Sequence, residues 1–246
     1  MSVLLQPNKI IDRALGMAFG TAVGDAMGIP FENLIPEQIA EIQMSLNKNE
    51  SLFINAAGRN PYIPKEWPTG RWGDATQLSL AIMHAIAKHL CDDAEKTPLI
   101  TSIVDEHVLE WWDCTDGWGT GTKNAIERIA QGSYSYCNSG GPSTGNDVSH
   151  GGTFFCVDTL SMVIGLVAAE RVTFETLEKA IQMGGDTNII AAMIGALLGA
   201  TQGQQAIDKR RAEIVFRSDY IRQIGEKFGQ ALVHHLNLLP SCSQTM

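Results

Sequence analysis

Residues 183–203, MGGDTNIIAAMIGALLGATQG, decide how this chain is read. Two glycines bend the backbone, Asp186 and Thr187 present side-chain oxygens where a helix begins, and an apolar run carrying Gly195, Gly199 and Gly203 follows. Small polar residues ahead of such a run mark a helix start, because their oxygens accept from the first-turn N–H groups that lack a helical partner. The helix body is apolar nearly all round, so burial on every side is expected. A carboxylate at the tip of a buried helix lies deep in the protein and needs backbone amides, an arginine or a metal ion as partner. Capping alone also accounts for Asp186, whose charge meets the positive end of the helix dipole.

A second glycine ladder lies near the N-terminus. Residues 8–28 place Ile10, Ile11, Ala14, Leu15, Ala18 and Phe19 at helical spacing, and Gly16, Gly20, Gly24 and Gly28 recur every fourth residue. Each mid-helix glycine weakens the helix unless its missing side chain admits a close neighbour. The two ladders share one spacing, so their helices are expected to pack against each other at the centre. Asp12, Arg13 and Asp25 argue against such packing inside a bilayer, and the longest uncharged apolar run, 189–200, is too short to cross one. The following GDAMGIPFE sets Asp25 and Glu32 around a turn at Pro30. Taken singly, Asp25 reads as a turn aspartate bonded to nearby backbone, and Glu32 as a surface glutamate.

Further helices are expected over 34–46, from 74 onward, and over 101–113, 153–169, 174–182 and 218–239. The helix from 74 is opened by Asp74 or Thr76 and turns Leu78, Ile82, Ala85, Ile86 and Leu90 inward. That over 153–169 reads as buried. Residues 47–69 form an irregular loop with Pro61, Pro64 and Pro68. His84 and His89, five residues apart, share no helix face and read as surface or boundary residues. The glycine-rich stretch 117–122 runs into a helix, where backbone N–H groups and the Thr120 and Thr122 hydroxyls can cradle a phosphate; the lysine spacing of a P-loop is absent. Residues 133–152 are a polar loop holding His150. No run alternates with period two for long enough to build a sheet. The expected fold is all-α, a compact orthogonal arrangement of many helices in one domain over 1–240, with a disordered tail at 241–246.

Composition narrows the function classes. The 246 residues, 44% of them hydrophobic, suffice for one large core. A formal net charge of −9 without a basic stripe argues against nucleic acid as a partner, and Lys209, Arg210 and Arg211 read as a solvated helix face. Five cysteines, an odd number with no CxxC pair, fit a reduced cytoplasmic setting, and no secretory signal is evident.

The motifs, taken together and in order, resemble the ADP-ribosylglycohydrolase family, of the dinitrogenase-reductase-activating glycohydrolase type. The matching pieces are GMAFGTAVGDAMGIPFE at 16–32, WGDATQLSLA at 72–81, GWGTGTKNAIERIAQG at 117–132, GN at 145–146, FFCVDTL at 154–160 and GGDTNIIAAMIGALLGA at 184–200. The resemblance implies an all-helical hydrolase that removes ADP-ribose from protein side chains with magnesium. It implies ligand contacts at Gly119, Thr120, Gly121, Thr122, Gly145, Asn146, His150 and Gly152, and catalytic roles for Glu32, Asp74 and Asp186.

The chain departs from that pattern at the metal. The family holds paired ions with a Thr-Asp-Asp run and with two aspartates and a threonine at the start of the central helix. Here those positions read Gly73, Asp74, Ala75 and Asp186, Asn188, Ile189, so only Asp74 and Asp186 keep a carboxylate. Magnesium requires hard oxygen ligands, and Asp74, Asp186 and the neutral carbonyl of Asn188 can hold at most one, mostly hydrated, ion. Helices that relatives carry between the GN and VDT motifs are missing here, which leaves room for a protein partner at the cleft wall. Three readings stay open: a module that recognises ADP-ribose or an ADP-ribosylated protein with weak or absent hydrolysis, a working hydrolase with a one-metal site, and a structural protein reusing the fold.

Overall fold

The computed structural model describes residues 6–46, 52–55, 59–91, 99–111, 123–124, 156–169 and 171–238. The helices are α1 (Pro7–Gly28), α2 (Pro36–Ser45), α3 (Asp74–Cys91), α4 (Leu99–Trp111), α5 (Cys156–Ala169), α6 (Phe174–Gln182), α7 (Thr187–Gln202), α8 (Lys209–Ile214) and α9 (Ser218–Leu238). Short 3-10 turns at Ile29–Phe31 and Gln204–Ala206 follow α1 and α7. No strand occurs among the described residues, as the absence of two-residue alternation predicts. The proposed phosphate cradle at Gly119–Thr122 and the loop positions Gly145, Asn146, His150 and Gly152 lie outside the described residues, as does the tail at 241–246.

The two glycine ladders meet as expected. A β-carbon on Gly20 would fall on the Gly195 carbonyl, one on Gly24 on the Ala191 carbonyl, and one on Gly199 on the Gly16 carbonyl. The rungs run in opposite senses along the chain, so α1 and α7 pack antiparallel with backbone against backbone. Such an approach is open only to residues without side chains on the facing stripe. The Thr187 hydroxyl donates to the Gly28 carbonyl at 2.8 Å and pins the end of α1 to the start of α7.

Two apolar clusters flank this pair. On one side Leu15, Ala18, Phe19 and Val23 pack with Leu80 and Met83 of α3, Ile221, Ile224 and Phe228 of α9, and the indole of Trp72. On the other, Ile190 and Ile194 pack with Leu177 and Ile181 of α6, Phe31, Leu34 and Ile39. The stretch Pro7–Phe31 is long and apolar enough to cross a bilayer by length and composition, but 89% of its apolar window is buried inside the protein, as in a core helix.

Several sequence expectations need correction. Residues 156–169 are not buried all round: Leu160 and Ile164 are 48% and 58% exposed while Val163 points inward. Arg211 is not a solvated charge, since its guanidinium reaches the Leu52 carbonyl at 2.9 Å and the Asp208 carboxylate at 3.2 Å. His84, by contrast, is the half-buried boundary residue expected, with its Nδ1 2.8 Å from Oε2 of the buried Glu106 on α4, and Lys88 reaches the same carboxylate.

Gly20→Ala is expected to lower the unfolding free energy by about 3 kcal/mol or to prevent folding, because the new methyl has only backbone to displace. Gly165→Ala, where nothing lies within 4 Å, is expected to be neutral or to stabilise α5 by roughly 0.5–1 kcal/mol. Urea unfolding of both variants measures the contrast, and equal effects would contradict the backbone contact.

Candidate functional site

The antiparallel pairing brings the last turn of α1 to the first turn of α7, and the start of α3 reaches the same place. Asp25, fully buried near the end of α1, is the hinge of this arrangement. Its Oδ2 accepts from the Gly73 amide at 3.0 Å, the Thr76 amide at 3.0 Å and the Thr76 hydroxyl at 2.6 Å. Asp25 therefore does not bond to its own turn, as its position in the sequence suggests; it caps a helix some fifty residues away (48 to 51 residues in sequence). The Thr76 hydroxyl is given to Asp25. The first helical acceptor is the Gly73 carbonyl, bonded by the Gln77 amide at 3.3 Å, and Asp25 brings a side-chain oxygen to the helix end from α1.

The turn after α1 carries Glu32 and is held from two directions. The Asn33 amide donates to the Gly185 carbonyl at 2.9 Å, and the Gly185 amide donates to the Leu34 carbonyl at 3.0 Å. Gly184 and Gly185 adopt φ of 79° and 77°, a left-handed backbone that favours glycine. From the other side Asn60, 2% exposed, donates through Nδ2 to the Pro30 carbonyl at 3.2 Å and the Glu32 carbonyl at 2.8 Å, while its Oδ1 accepts from the Tyr62 amide at 2.9 Å. Sequence reasoning overlooked Asn60, although an asparagine before a proline in a loop is a common turn-former.

Asp186 occupies the position before α7 and is 3% exposed, yet its side chain makes no capping hydrogen bond. The Ile189 amide nonetheless pulls on its charge, so capping accounts for Asp186 in part. Its Oδ1, the Oδ1 of Asn188 and the Oδ1 of Asp25 are buried without a hydrogen-bond partner. A methyl group built on Gly73 would sit 3.4 Å from Asp25 Oδ1 and 3.8 Å from Asn188 Nδ2, so side chains from α1 and α7 converge over the start of α3.

Acidic groups crowd this place. Burial pushes the Asp25 carboxyl up to about 7; the Thr76 hydroxyl opposes the rise, the charge of Asp74 adds to it, and the Thr76 and Gly73 amides oppose it. Glu32 is pushed up to about 8, first by burial and then by the charges of Asp186, Asp74 and Asp25. Asp186 is pushed up to about 7 by burial and by Asp74 and Asp25, against the pull of the Ile189 amide. Each carboxylate raises its neighbours because their charges share a poorly solvated space. The sequence-predicted Glu32, Asp74, Asp186 and Asn188 thus gather at one locus, and Asp25 joins them. Among the described residues no three His, Cys, Asp or Glu side chains converge tightly enough to form a ready ligand set.

Beside Asp74 opens a cavity of about 400 Å³ between α3 and α7, lined by Ala75, Leu78, Ile189, Ala192, Met193 and Ala196, with Thr21 and Ser79. Two of the positions that carry metal ligands in the resembled family, 75 and 189, therefore contribute apolar wall.

The sequence profile of the ADP-ribosylglycohydrolase family matches residues 6–156 and 147–237. The match divides at 147–156, within the stretch where the sequence reading finds relatives' helices missing. No curated protein matches. Among solved structures, a chain of an ADP-ribosylglycohydrolase-related protein complex superposes with a TM-score of 0.63 over 91% of this chain and 99% of its own, at 18% identity. At that identity the likeness is one of fold.

All three raised carboxyls hold protons to higher pH in the folded chain than in the unfolded one, where values of 3.8 and 4.5 apply. The folded state binds the extra protons between about pH 4 and 8, so stability falls as pH rises through that window. In chelator, the urea midpoint is expected to drop steadily over this range. Asp25→Asn is expected to flatten the drop, since an amide oxygen still accepts from Gly73 and Thr76 without adding charge. A midpoint rising across the window would reject protonated carboxyls at this site.

Proposed function

Because this chain belongs to the ADP-ribosylglycohydrolase family, we propose that it recognises an ADP-ribosyl or related nucleotide group at the Glu32, Asp74, Asp186 and Asn188 locus, with at most one magnesium ion and weak or absent hydrolysis. The observation that carries this reading is the set of buried acceptor oxygens without donors on Asp25, Asp186 and Asn188. Oxygens of this kind are stabilised by a proton, by ligand hydroxyls or by a hard cation.

One hydrated magnesium ion fits this chemistry. Asp186, Asn188 and Asp74 would hold it, and the lack of a tightly convergent trio suits an ion that keeps several waters. A second ion does not fit, because Ala75 and Ile189 offer no ligand atom and line an apolar cavity. When bound, magnesium supplies positive charge that neutralises the carboxylates and orients hydroxyl or water oxygens.

The chain's own residues perform the rest. Asp186 and Asn188 present acceptors to the hydroxyls of a ribose, whose donors match oxygens that lack them. Glu32, with its carboxyl at about 8, retains its proton at neutral pH and donates rather than abstracts. The family's implied base is therefore protonated while the site holds no cation, and a bound cation would lower its pKa. The weak or silent reading is favoured instead by positions 75 and 189, which offer no ligand atom. The acceptor protein, magnesium and a cytoplasmic location remain part of this proposal.

Titration calorimetry with ADP-ribose is expected to give binding heat that Asp186→Ala removes. No heat with or without magnesium would leave only the structural reading, and release of ADP-ribose from modified arginine or serine peptides at a rate lost in Asp186→Ala would establish the hydrolase instead. Restoring Ala75→Asp, Asn188→Asp and Ile189→Thr together with Gly73→Thr is expected to raise magnesium affinity and the bound stoichiometry from one towards two. Unchanged magnesium binding would overturn the placement of the ion.

A further inference from the structure

The backbone turn that carries Glu32 is bonded by a residue outside the charged cluster. Glu32 stands at the end of the Ile29–Phe31 turn with φ of −55° and ψ of 135°, just where the chain leaves α1 and turns towards α2. Its amide is bonded to the Ile29 carbonyl at 3.2 Å, which closes the turn locally but leaves the Pro30 and Glu32 carbonyls facing inward without a helical partner. Both are taken by the single Nδ2 of Asn60, at 3.2 Å and 2.8 Å. The third contact, from the Tyr62 amide to Asn60 Oδ1 at 2.9 Å, fixes which end of the Asn60 amide faces the turn.

Only an asparagine-like group meets these demands at once. Two backbone carbonyls call for two N–H donors on one atom, and a backbone amide calls for an acceptor on the other. Asn60 is 2% exposed, so its own amide has no water to replace these partners, and buried polar groups left unpaired are costly. The opposite edge of the same turn is fixed to Gly185, the residue before Asp186. Asn60 and Gly185 thus grip the Glu32 turn from two sides, and the second grip ties it to the start of α7.

Resting on the nucleotide-recognition reading above, we infer that Asn60 is a positioning residue, which holds the Glu32 carboxyl in its binding orientation through the Pro30 and Glu32 carbonyls. Asn60 itself contacts no ligand. Its loss lets the turn relax while Asp74, Asp186 and Asn188 stay in place.

The test is a double-mutant cycle on ADP-ribose affinity, measured by titration calorimetry well below the unfolding temperature of every variant. Asn60→Ala is expected to weaken binding by about tenfold, the scale of one lost orienting contact. Asn60→Asp keeps the acceptor for Tyr62 but turns a second acceptor onto two carbonyls, and is expected to weaken binding at least as much. In a Glu32→Ala background, the same Asn60 substitutions are expected to change affinity by less than about twofold, since no carboxyl is left to position. Asn60→Ser, which keeps one donor, serves if Asn60→Ala does not fold, with an intermediate loss expected. Equal losses with and without Glu32 would show Asn60 to be a purely structural residue and overturn the inference. Absence of binding by the wild-type protein would instead remove the recognition reading, and the role of Asn60 with it.

Discussion

The contact on which the rest of the structure depends is the close antiparallel seating of α1 on α7, backbone against backbone. Gly16, Gly20 and Gly24 face Gly199, Gly195 and Ala191 at one rung per turn. Because the helices run in opposite directions, the C-terminal end of one must lie beside the N-terminal end of the other. That geometry sets Asp25 and the Glu32 turn against Asp186 and Asn188 without any contact among the charged groups themselves. The glycines weaken each helix taken alone, and the pair recovers that loss through dispersion contacts that larger residues would prevent. Both flanking apolar clusters then lock the pair from either side.

On this rigid frame sits a group of carboxyls that would separate if free to do so. Asp25 is best satisfied, with three donors on one oxygen, and still its other oxygen has none. Asp186 stands at the positive end of a helix dipole but makes no capping bond. Helix capping normally stabilises a protein, and here the capping position holds a buried carboxyl whose Oδ1 has no hydrogen-bond partner. Such local conflict against an otherwise consistent fold is the usual mark of a site kept for binding. Membership of the ADP-ribosylglycohydrolase family agrees with that reading of the locus.

The departures from the family pattern act as a set. Gly73 leaves room over Asp25 and Asn188, while Ala75 and Ile189 turn what would be ligand positions into the wall of an apolar cavity. The acids that remain are raised by burial first and by one another's charge second, whereas Ala75 and Ile189 act on the cation alone, by removing oxygens that could share it.

How much of this was legible beforehand depends on the range over which each interaction acts. The helices, their apolar faces and the matching ladders follow from periodicities within a few turns of chain, and Phe174–Gln182 has the bounds the sequence suggests. The gathering of Glu32, Asp74 and Asp186 was accessible only through the ordered motifs. Asp25 and Asn60 were not legible, since nothing local distinguishes an aspartate that caps its own turn from one that caps a helix 48 residues later. The sequence by itself determined that there would be two glycine-striped helices and a polar mouth on the second. Only the tertiary structure decided which carboxyls share that mouth and which oxygens go unpaired, because burial and hydrogen-bond partners are properties of the packed chain and not of any segment of it.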